Sequence, residues 1–368
     1  MYKERISRLQ NIMHEMDLTA VLLSPGVNMY YFTGLMKEAY ERLLTIIIPA
    51  DGDAMALVPS FEREHVEGGL SLPLAEISIW KEEEDPYRIL AQVMRENDLA
   101  RGTIAIDGRM QYSFFYHVEN ALSQVRFVEA TDMIEQLRVV KSGDEIGLIK
   151  RACEIIGKGM KAAFESVAPG RTEMDVYHEL QSEIRRQGGA PVGFGGVLSG
   201  PISALPHGES SNRRIERGET VLIDVGWRYQ WYFGDLTRTV VVGDASEELK
   251  RIYEIVLEAQ KNAIERVRPE VQAQVIDRAA RELIAKAGFG PNFTHRTGHG
   301  IGLEVHETPF LVEGNVGTLR ENMVFTVEPG IYLLGRFGVR VEDEILVTEE
   351  GSENLTADVY PEEGLQVV

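Results

Sequence analysis

Two aspartates interrupt the apolar and aromatic stretch IDVGWRYQWYFGD, at Asp224 and Asp235. Both flanks have the composition of buried strands, where an ionised carboxylate is unfavourable unless something compensates it. An antiparallel hairpin with a four-residue loop from Arg228 to Trp231 would set the two aspartates directly opposite each other. We therefore expect a shared proton, a basic partner or a bound cation at this pair.

A second pair of acids lies on strands near the C-terminus. Glu328 ends the stretch VFTVE and Glu342 lies in GVRVEDEILVT, and a hairpin-like segment centred near Gly335 joins the two stretches. The two glutamates are therefore predicted to be neighbours. Arg340 should share a strand face with Glu342, because side chains two residues apart point to the same side.

Histidines cluster in the same part of the chain, where four of the eight are His207, His295, His299 and His306. Their spacing is neither the HExxH of helical zinc sites nor a GxGxxG phosphate loop. Taken singly, a strand-end aspartate is usually a turn former and a lone histidine is usually structural. Four acids on strands together with histidines instead predict a metal site. Oxygen-rich ligands with one imidazole suit manganese, cobalt or zinc, and bridging acids suit two metals roughly 3.5–4 Å apart.

Composition limits the other function classes. The chain has 368 residues, enough for two domains, and its formal net charge of −20 argues against binding along a nucleic-acid backbone. The single cysteine, Cys153, excludes an intrachain disulfide and is expected to be a buried core thiol. The N-terminus lacks the apolar stretch of a signal peptide, and the apolar run LLTIIIPA is too short to span a bilayer. These features predict a soluble cytoplasmic protein.

The elements that must position the acids and histidines follow from hydrophobic periodicity. The first third alternates helix and strand patterns, which predicts a compact α/β unit ending near residue 130. Its elements are a helix with Ile6, Leu9, Ile12, Met13 and Met16 on one face, the strands AVLLS, GTIAID and VRFVEA, and a hairpin of LLTIIIP with AMALVP.

The rest of the chain begins with helices and continues with strands. Ser142 and Glu145 have the form of a capping box before a long amphipathic helix, and Thr172 with Asp175 would cap a second helix. Long helices combined with antiparallel strands predict an α+β domain. The remaining boundaries are a helix end at residues 188–189, helices around 246–267 and 274–287, and strands with glycine-rich loops from Asn292 onward.

The ordered motifs IDVG, GDLTRT, GHGIGLEVHE, VEPGIY and GVRVEDEILVT resemble the metallopeptidases with the pita-bread fold, which include methionine aminopeptidase, aminopeptidase P and prolidase. The stretch NMYYFTGL resembles the N-terminal domain shared by aminopeptidase P, prolidase and creatinase, so methionine aminopeptidases are the weaker match. The resemblance implies a pita-bread catalytic domain of class α+β over residues 138–368. A smaller α/β domain of the creatinase type would precede it over residues 1–131.

The resemblance also implies a role for each candidate residue. Asp224 would bind one metal alone, whereas Asp235 and Glu342 would bridge two metals. The implied metal ligands are Asp224, Asp235, His299, Glu328 and Glu342. The implied catalytic residues are His207, His306 and Glu328, and the implied substrate-binding residues are His207, His295, His306 and Arg340.

The implied reaction is hydrolysis of the Xaa-Pro bond at the N-terminus of dipeptides or short peptides. A hydroxide bridging two divalent ions (Mn, Co or Zn) would attack the carbonyl. His306 would donate a hydrogen bond to the oxyanion, and Glu328 would carry a proton to the leaving nitrogen. The expected partners are short peptides with proline at the second position, with no nucleic acid or membrane. A homodimer is also expected, with the N-terminal domain lining the neighbour's site.

One position departs from the prolidase pattern. Dipeptide-specific prolidases commonly carry an arginine four residues after the histidine that matches His306, where it meets the substrate carboxylate. This chain has Phe310 at that position, so dipeptidase and aminopeptidase P-like preferences both stay open. Further alternatives are a non-proline hydrolase of the same fold and a non-catalytic binding relative. The intact ligand set favours a hydrolytic enzyme over a binding relative and over a creatinase.

Overall fold

The computed structural model describes residues 1–357 and 364–368. The chain consists of two compact units, Met1–Arg138 and Val139–Val368. Within the described ranges, every helix is too short or too polar to cross a membrane.

The first unit is built on a mixed six-stranded sheet. Its strands are β1 (Ala20–Leu23), β2 (Thr45–Pro49), β3 (Met55–Pro59), β4 (Glu76–Trp80), β5 (Gly102–Ile106) and β6 (Val125–Glu129). They lie in the order β4-β3-β2-β1-β5-β6, and β2 and β3 form the predicted antiparallel hairpin. Its helices are α1 (Tyr2–Glu15), α2 (Val27–Thr33), α3 (Arg63–Gly69), α4 (Pro86–Glu96), α5 (Tyr112–Ala121) and α6 (Thr131–Arg138).

The core of this unit forms where apolar strand residues meet apolar helix faces. Leu22 and Ile104 of the central strands pack in one cluster with Leu90 of α4 and Val118 of α5. Met16, which the sequence places on the buried face of α1, is instead exposed, because the helix ends at residue 15.

The second unit combines four helices with three sheets. Its helices are α7 (Gly143–Ser166), α8 (Glu173–Arg186), α9 (Glu247–Ile264) and α10 (Ala273–Lys286). Strands β7 (Phe194–Ser199), β8 (Thr220–Tyr229) and β9 (Tyr232–Val241) form one sheet with a short later strand. The remaining strands are β10 (Gly298–Gly300), β11 (Glu307–Leu311), β12 (Val324–Val327), β13 (Gly330–Leu333), β14 (Phe337–Arg340), β15 (Asp343–Val347), β16 (Ser352–Asn354) and β17 (Gln366–Val367).

Two pairs of helices cover the three sheets of the second unit. The order of the first sheet is β17-β9-β8-β7, and apolar residues of α7 and α8 share a core with it. The order of the second sheet is β11-β10-β12-β15-β16, and apolar residues of α9 and α10 share a core with it and with the β13-β14 hairpin. Asp224 and Asp235 lie on strands of the first sheet, and His299 lies on a strand of the second.

The predicted helix starts of this unit are confirmed. The Ser142 side chain accepts from the backbone N–H of Glu145, whose carboxylate accepts from the backbone of Ser142. Thr172 and Asp175 form the same reciprocal pair at the start of α8. Each box satisfies two of the N–H groups that a helix start leaves without partners.

The predicted register of the β8-β9 hairpin is wrong. Asp224 lies opposite Thr237, and Asp235 lies opposite Gly226. The turn has two residues, Gln230 and Trp231, with φ of 45° and 75°, instead of the predicted four. This left-handed backbone matches the twist of a hairpin, although it usually requires glycine or asparagine. The partner of Asp224 shifts by two residues, so the aspartates stay on one face as diagonal neighbours.

The second hairpin has the predicted centre. Gly330 lies opposite Arg340 in the β13-β14 ladder, and Val327 lies opposite Asp343 in the β12-β15 ladder. Both registers are therefore centred on Gly335. Residues 328 and 342 lie at the break between the two ladders, which is the placement predicted for the second pair of acids.

Candidate metal centre and substrate cavity

A cavity of about 560 Å³ lies in the second unit, and its lining contains every candidate site residue named from the sequence. The polar members come from β8, β9, β10, the β12–β15 region and two loops. The nine candidates in this lining are His207, Asp224, Asp235, His295, His299, His306, Glu328, Arg340 and Glu342.

The centre of this cavity is a cluster of buried ligand atoms. One side-chain atom each from Asp235, His299 and Glu342 lies within 4.8 Å of the other two. The His299 Nε2 atom is 4.0 Å from Oδ2 of Asp235 and 3.3 Å from Oε1 of Glu328. Its Nδ1 lies 3.1 Å from the Gly300 carbonyl, which can only accept, so the proton sits on Nδ1 and the Nε2 lone pair faces the acids.

Asp224 and Glu342 are joined through a threonine and an arginine. The Thr237 Oγ1 atom lies 3.2 Å from Oδ1 of Asp224 and 2.5 Å from Oε2 of Glu342, and its single hydrogen serves one of them. Arg340 donates from Nε to Thr237 at 3.0 Å and from Nη2 to Oδ2 of Asp224 at 2.5 Å. The shared contacts with Thr237 place Arg340 and Glu342 on one face, as the two-residue period predicts.

The charges of these acids are incompletely compensated. Burial, and next the charges of Glu342 and Asp224, raise the pKa of Asp235 well above its usual range. Burial also raises the pKa of Glu342 well above its usual range and that of Glu328 to about 7. The Oδ1 atom of Asp235 is buried and has no hydrogen-bond partner among the described residues. A polar atom in this state needs a ligand or a proton.

The donor set fits divalent cations. Four carboxylates with one imidazole suit hard or borderline divalent ions. Burial, followed by the neighbouring His306, lowers the pKa of His299 to about 3, so the imidazole is neutral, which is the form that binds metal. The clustered Asp235, His299 and Glu342 therefore share one cavity lining with Asp224 and Glu328, and the Oδ1 atom of Asp235 has no hydrogen-bond partner among the described residues.

The remaining histidines line the cavity in different states. His306 is exposed, and its ring meets His299 edge to face with centroids 4.3 Å apart. His295 is held between two partners, because Nδ1 lies 2.7 Å from the Arg296 carbonyl and Nε2 lies 2.8 Å from the Tyr332 hydroxyl. Burial, and next the charge of Arg340, lower the pKa of His295 to about 4. His295 is thus a neutral acceptor for Tyr332.

His207 lies on a loop that a buried glutamate fixes at both ends. Glu173, at the start of α8, accepts from the backbone N–H and the hydroxyl of Ser199 at 2.7 and 2.8 Å. Its other oxygen accepts from the backbone N–H and the hydroxyl of Ser211 at 3.1 and 2.7 Å. These four bonds hold the two ends of the segment that carries His207.

Sequence reasoning missed three residues that support the cluster. Thr237 links two acids, and Tyr332 donates to His295. Glu344 accepts the Asp235 backbone N–H at 3.0 Å and the Cys153 thiol at 3.3 Å, and burial raises the pKa of Glu344 to about 8. Strand alternation offered a signal for two of them, since Thr237 and Glu344 lie two residues after candidate ligands.

Comparison with known proteins gives the family. Residues 147–349 match metallopeptidase family M24, and residues 5–140 match the Creatinase/Prolidase N-terminal domain. The chain belongs to metallopeptidase family M24. The resemblance inferred from the motifs is therefore confirmed, and the chain is a peptidase of a family that uses divalent metal ions.

Individual relatives of this M24 peptidase cover nearly the whole chain. The Xaa-Pro dipeptidase of Pyrococcus furiosus is 38% identical over 356 residues, which are 96% of this chain and 98% of that protein. The structure of a prolidase from Thermococcus sibiricus has a TM-score of 0.93 at 36% identity and covers 100% of this chain and 99% of that one. An X-Pro aminopeptidase from Thermotoga maritima gives 0.86 at 33% identity, with 99% of each chain covered. These likenesses confirm the predicted fold class.

Proposed function

We propose that this chain is an Xaa-Pro exopeptidase that cleaves dipeptides, with Asp224, Asp235, His299, Glu328 and Glu342 as its metal ligands. The observation that carries the proposal is the buried, partly uncompensated cluster in an M24 chain. The 38% identity to a protein named Xaa-Pro dipeptidase supports the substrate class.

Two divalent ions, of manganese, cobalt or zinc, are the cofactors in this proposal. Bound ions would supply Lewis acidity, which stabilises negative charge on a carbonyl oxygen and makes water more acidic. The chain prepares their site by its own hydrogen bonds. Gly300 orients the imidazole of His299, and Thr237 with Arg340 fixes the carboxylates of Asp224 and Glu342.

The histidines and Glu328 carry the remaining steps of the proposed reaction. His306, exposed in the cavity, donates a hydrogen bond to the scissile carbonyl oxygen as its charge grows. Glu328 passes a proton from a carboxylate oxygen to the leaving proline nitrogen. His207 orients the peptide from its tethered loop, and His295 and Arg340 complete the substrate-binding set.

A panel of peptides tests this proposal. Metal-loaded protein is incubated with Ala-Pro, Ala-Pro-Ala and Ala-Ala, and bound metal is counted by elemental analysis. We expect about two ions per chain and release of alanine from the peptides with proline second. Absence of cleavage of both Ala-Pro and Ala-Pro-Ala would refute the proposal.

The same panel ranks the second candidate, an Xaa-Pro aminopeptidase acting on longer peptides. The X-Pro aminopeptidase from Thermotoga maritima and the phenylalanine at position 310 favour this candidate. Faster cleavage of Ala-Pro-Ala than of Ala-Pro would select it.

Assembly and location complete the proposal. A cytoplasmic homodimer follows from the resemblance to two-domain members of the family. Mass measurement in solution tests the dimer, and a monomer at the concentration of the assay would contradict it.

A further inference from the structure

Arg296 presents an unpaired guanidinium to the cavity. It lies three residues before His299 and belongs to the cavity lining. Its side chain has no hydrogen bond and no ion pair with any residue that the structure describes. Burial lowers the pKa of Arg296 and the charge of the nearby Glu328 offsets this only in part, so the cation is partly removed from water without a full counter-charge. A partly desolvated cation of this kind favours an anionic ligand.

An aromatic ring holds this guanidinium in place. The Arg296 Cζ atom lies 4.2 Å from the ring centroid of Phe310, which is the geometry of a cation–π contact. Phe310 is the direct cross-strand partner of His299 in the β10-β11 ladder. Directly opposed residues point to the same side of a sheet, so the ring and the cation on it lie beside the histidine of the metal cluster. Stacking leaves the N–H groups at the guanidinium edge free to donate.

The other arginine of the cavity, Arg340, uses most of its N–H donors in hydrogen bonds within the protein. Arg340 donates to Thr237 and Asp224, to the Pro206 carbonyl at 3.3 Å and to the Tyr332 hydroxyl at 3.1 Å. Four of the five N–H donors of a guanidinium are thereby used. A bidentate contact with a carboxylate needs two free donors on one edge. Arg296 therefore meets this need and Arg340 does not.

We propose that Arg296, stacked on Phe310, binds the C-terminal carboxylate of the substrate and gives the enzyme its preference for dipeptides. This inference rests on the proposed function, since it assigns one end of an Xaa-Pro substrate. Phe310 stands where the prolidase pattern has an arginine. In this proposal its ring supports Arg296, which binds the carboxylate in place of that arginine.

The test compares two substrates that differ only in the carboxylate. Ala-Pro and Ala-prolinamide share the scissile bond, but the second carries a neutral amide at its C-terminus. With metal-loaded full-length protein, we expect the wild type to prefer Ala-Pro in kcat/KM. In Arg296→Met this preference should fall roughly 10- to 100-fold, mainly through KM, as for the loss of a charged hydrogen-bonded pair. Any electrostatic effect of Arg296 on Glu328, His299 or His306 acts on both substrates and cancels in the ratio.

Three variants sharpen the result. Arg296→Lys keeps the charge but loses the planar fork, so it should retain part of the preference. Phe310→Leu removes the platform and should lower the preference about threefold to tenfold. Arg251→Met is the matched control, because Arg251 is exposed on α9, and it should leave both substrates unchanged.

The outcomes separate the inference from the proposed function. An unchanged Ala-Pro to Ala-prolinamide ratio in Arg296→Met overturns the inference and leaves the proposed function intact. Equal losses on both substrates also overturn it, because they reveal a role outside the carboxylate. Absence of cleavage of both substrates by the wild type overturns the proposed function and the inference with it.

Discussion

Asp343 and Asp235 are both buried acids of the second unit, but their surroundings differ. Asp343 accepts from Arg238 at 2.6 Å, from Gln260 at 2.6 Å and from Thr356 at 2.7 Å, so both of its oxygens have donors. Asp235 has one oxygen without a hydrogen-bond partner among the described residues and shares its cavity with three more acids. Burial alone therefore does not distinguish a structural acid from a ligand. Between Asp343 and Asp235, the difference lies in the hydrogen-bond donors and in the neighbouring acids.

Glu173 extends this comparison to a loop. Its four hydrogen bonds with Ser199 and Ser211 satisfy a fully buried carboxylate with neutral donors. The chain can thus neutralise or solvate a buried acid wherever the fold requires it. At Asp235 it instead gathers further carboxylates, which is the arrangement expected where a cation completes the site.

Asp235→Asn should give the largest effect in this comparison. We expect hydrolysis of Ala-Pro to fall by at least ~10³-fold, comparable with removal of a main electrostatic group of an active site. The fold should persist, because the substitution removes a charge that the protein itself does not compensate. Steady-state kinetics and elemental analysis measure the losses of activity and of metal. Normal turnover with two bound ions would show that Asp235, like Asp343, is not a metal ligand.

Asp343→Asn should give the opposite result. It leaves the buried Arg238 without its counter-charge, and breaking such a pair costs about 3–5 kcal/mol of unfolding free energy. Chemical denaturation measures this loss. Protein that remains folded should still bind metal. A variant as stable as the wild type would show that Asp343 is not the structural acid that its donors indicate.

The pH dependence of the metal-free protein should expose the uncompensated acids. The pKa of Glu328 is raised from 4.5 to about 7 and that of Glu344 from 4.5 to about 8, in both cases first by burial. A raised folded-state pKa contributes stability that is present below the unfolded value and is lost as pH rises through the folded value. Stability in chelator should therefore fall between about pH 6.5 and 8, because above pH 6.5 the buried His295 and His299, whose pKa values are lowered to about 4 and about 3, are neutral in both the folded and the unfolded protein.

Metal provides the control for this titration. Unfolding is measured at the two ends of the pH range with a chelator and with excess manganese. Bound cations neutralise the ligands, so the fall with pH should shrink when metal is present. Metal-free protein whose stability rises over this range would contradict the raised pKa values.

Thr237→Val should give the smallest effect. The side chain keeps its shape but loses the hydroxyl that contacts Asp224 and Glu342. We expect roughly tenfold weaker metal binding, at the lower end of losses for groups that orient ligands. Unfolding free energy should fall by about 1 kcal/mol. Competition with a chelator measures the affinity. An unchanged affinity would show that the Thr237 hydroxyl does not orient these carboxylates for metal binding.

The sequence predicted correctly which side chains share the cavity, but it did not predict the β8-β9 register that brings two of them together. All nine candidates chosen from the motifs lie in one cavity lining, although their individual roles stay predictions. The β8-β9 register was wrong because the turn at Gln230 and Trp231 has left-handed backbone without the usual glycine. The two aspartates nevertheless lie on the predicted face of the sheet. A register shift of two residues keeps every side chain on its face, whereas a shift of one would move it to the other.

The residues that support the cluster were harder to predict, because their contacts are with residues distant in the sequence. Thr237, Glu344 and Tyr332 act through contacts with segments as many as about a hundred residues distant, which local periodicity does not report. The role proposed for Arg296 likewise depends on the Phe310 ring that β11 brings beside it. Helix starts were predictable, because capping boxes such as that of Ser142 and Glu145 are local.

Three consecutive acids, at the residue before β15 and at its first two positions, lie in three different environments. Glu342 meets Thr237, Asp343 meets Arg238, and Glu344 meets the backbone of Asp235. Insertion or loss of one residue here would swap the acid that faces the cavity with the acid that faces the internal arginine. Both sites would then fail together. A change of one side chain in this stretch should therefore impair one of the two sites, whereas a change of length should impair both.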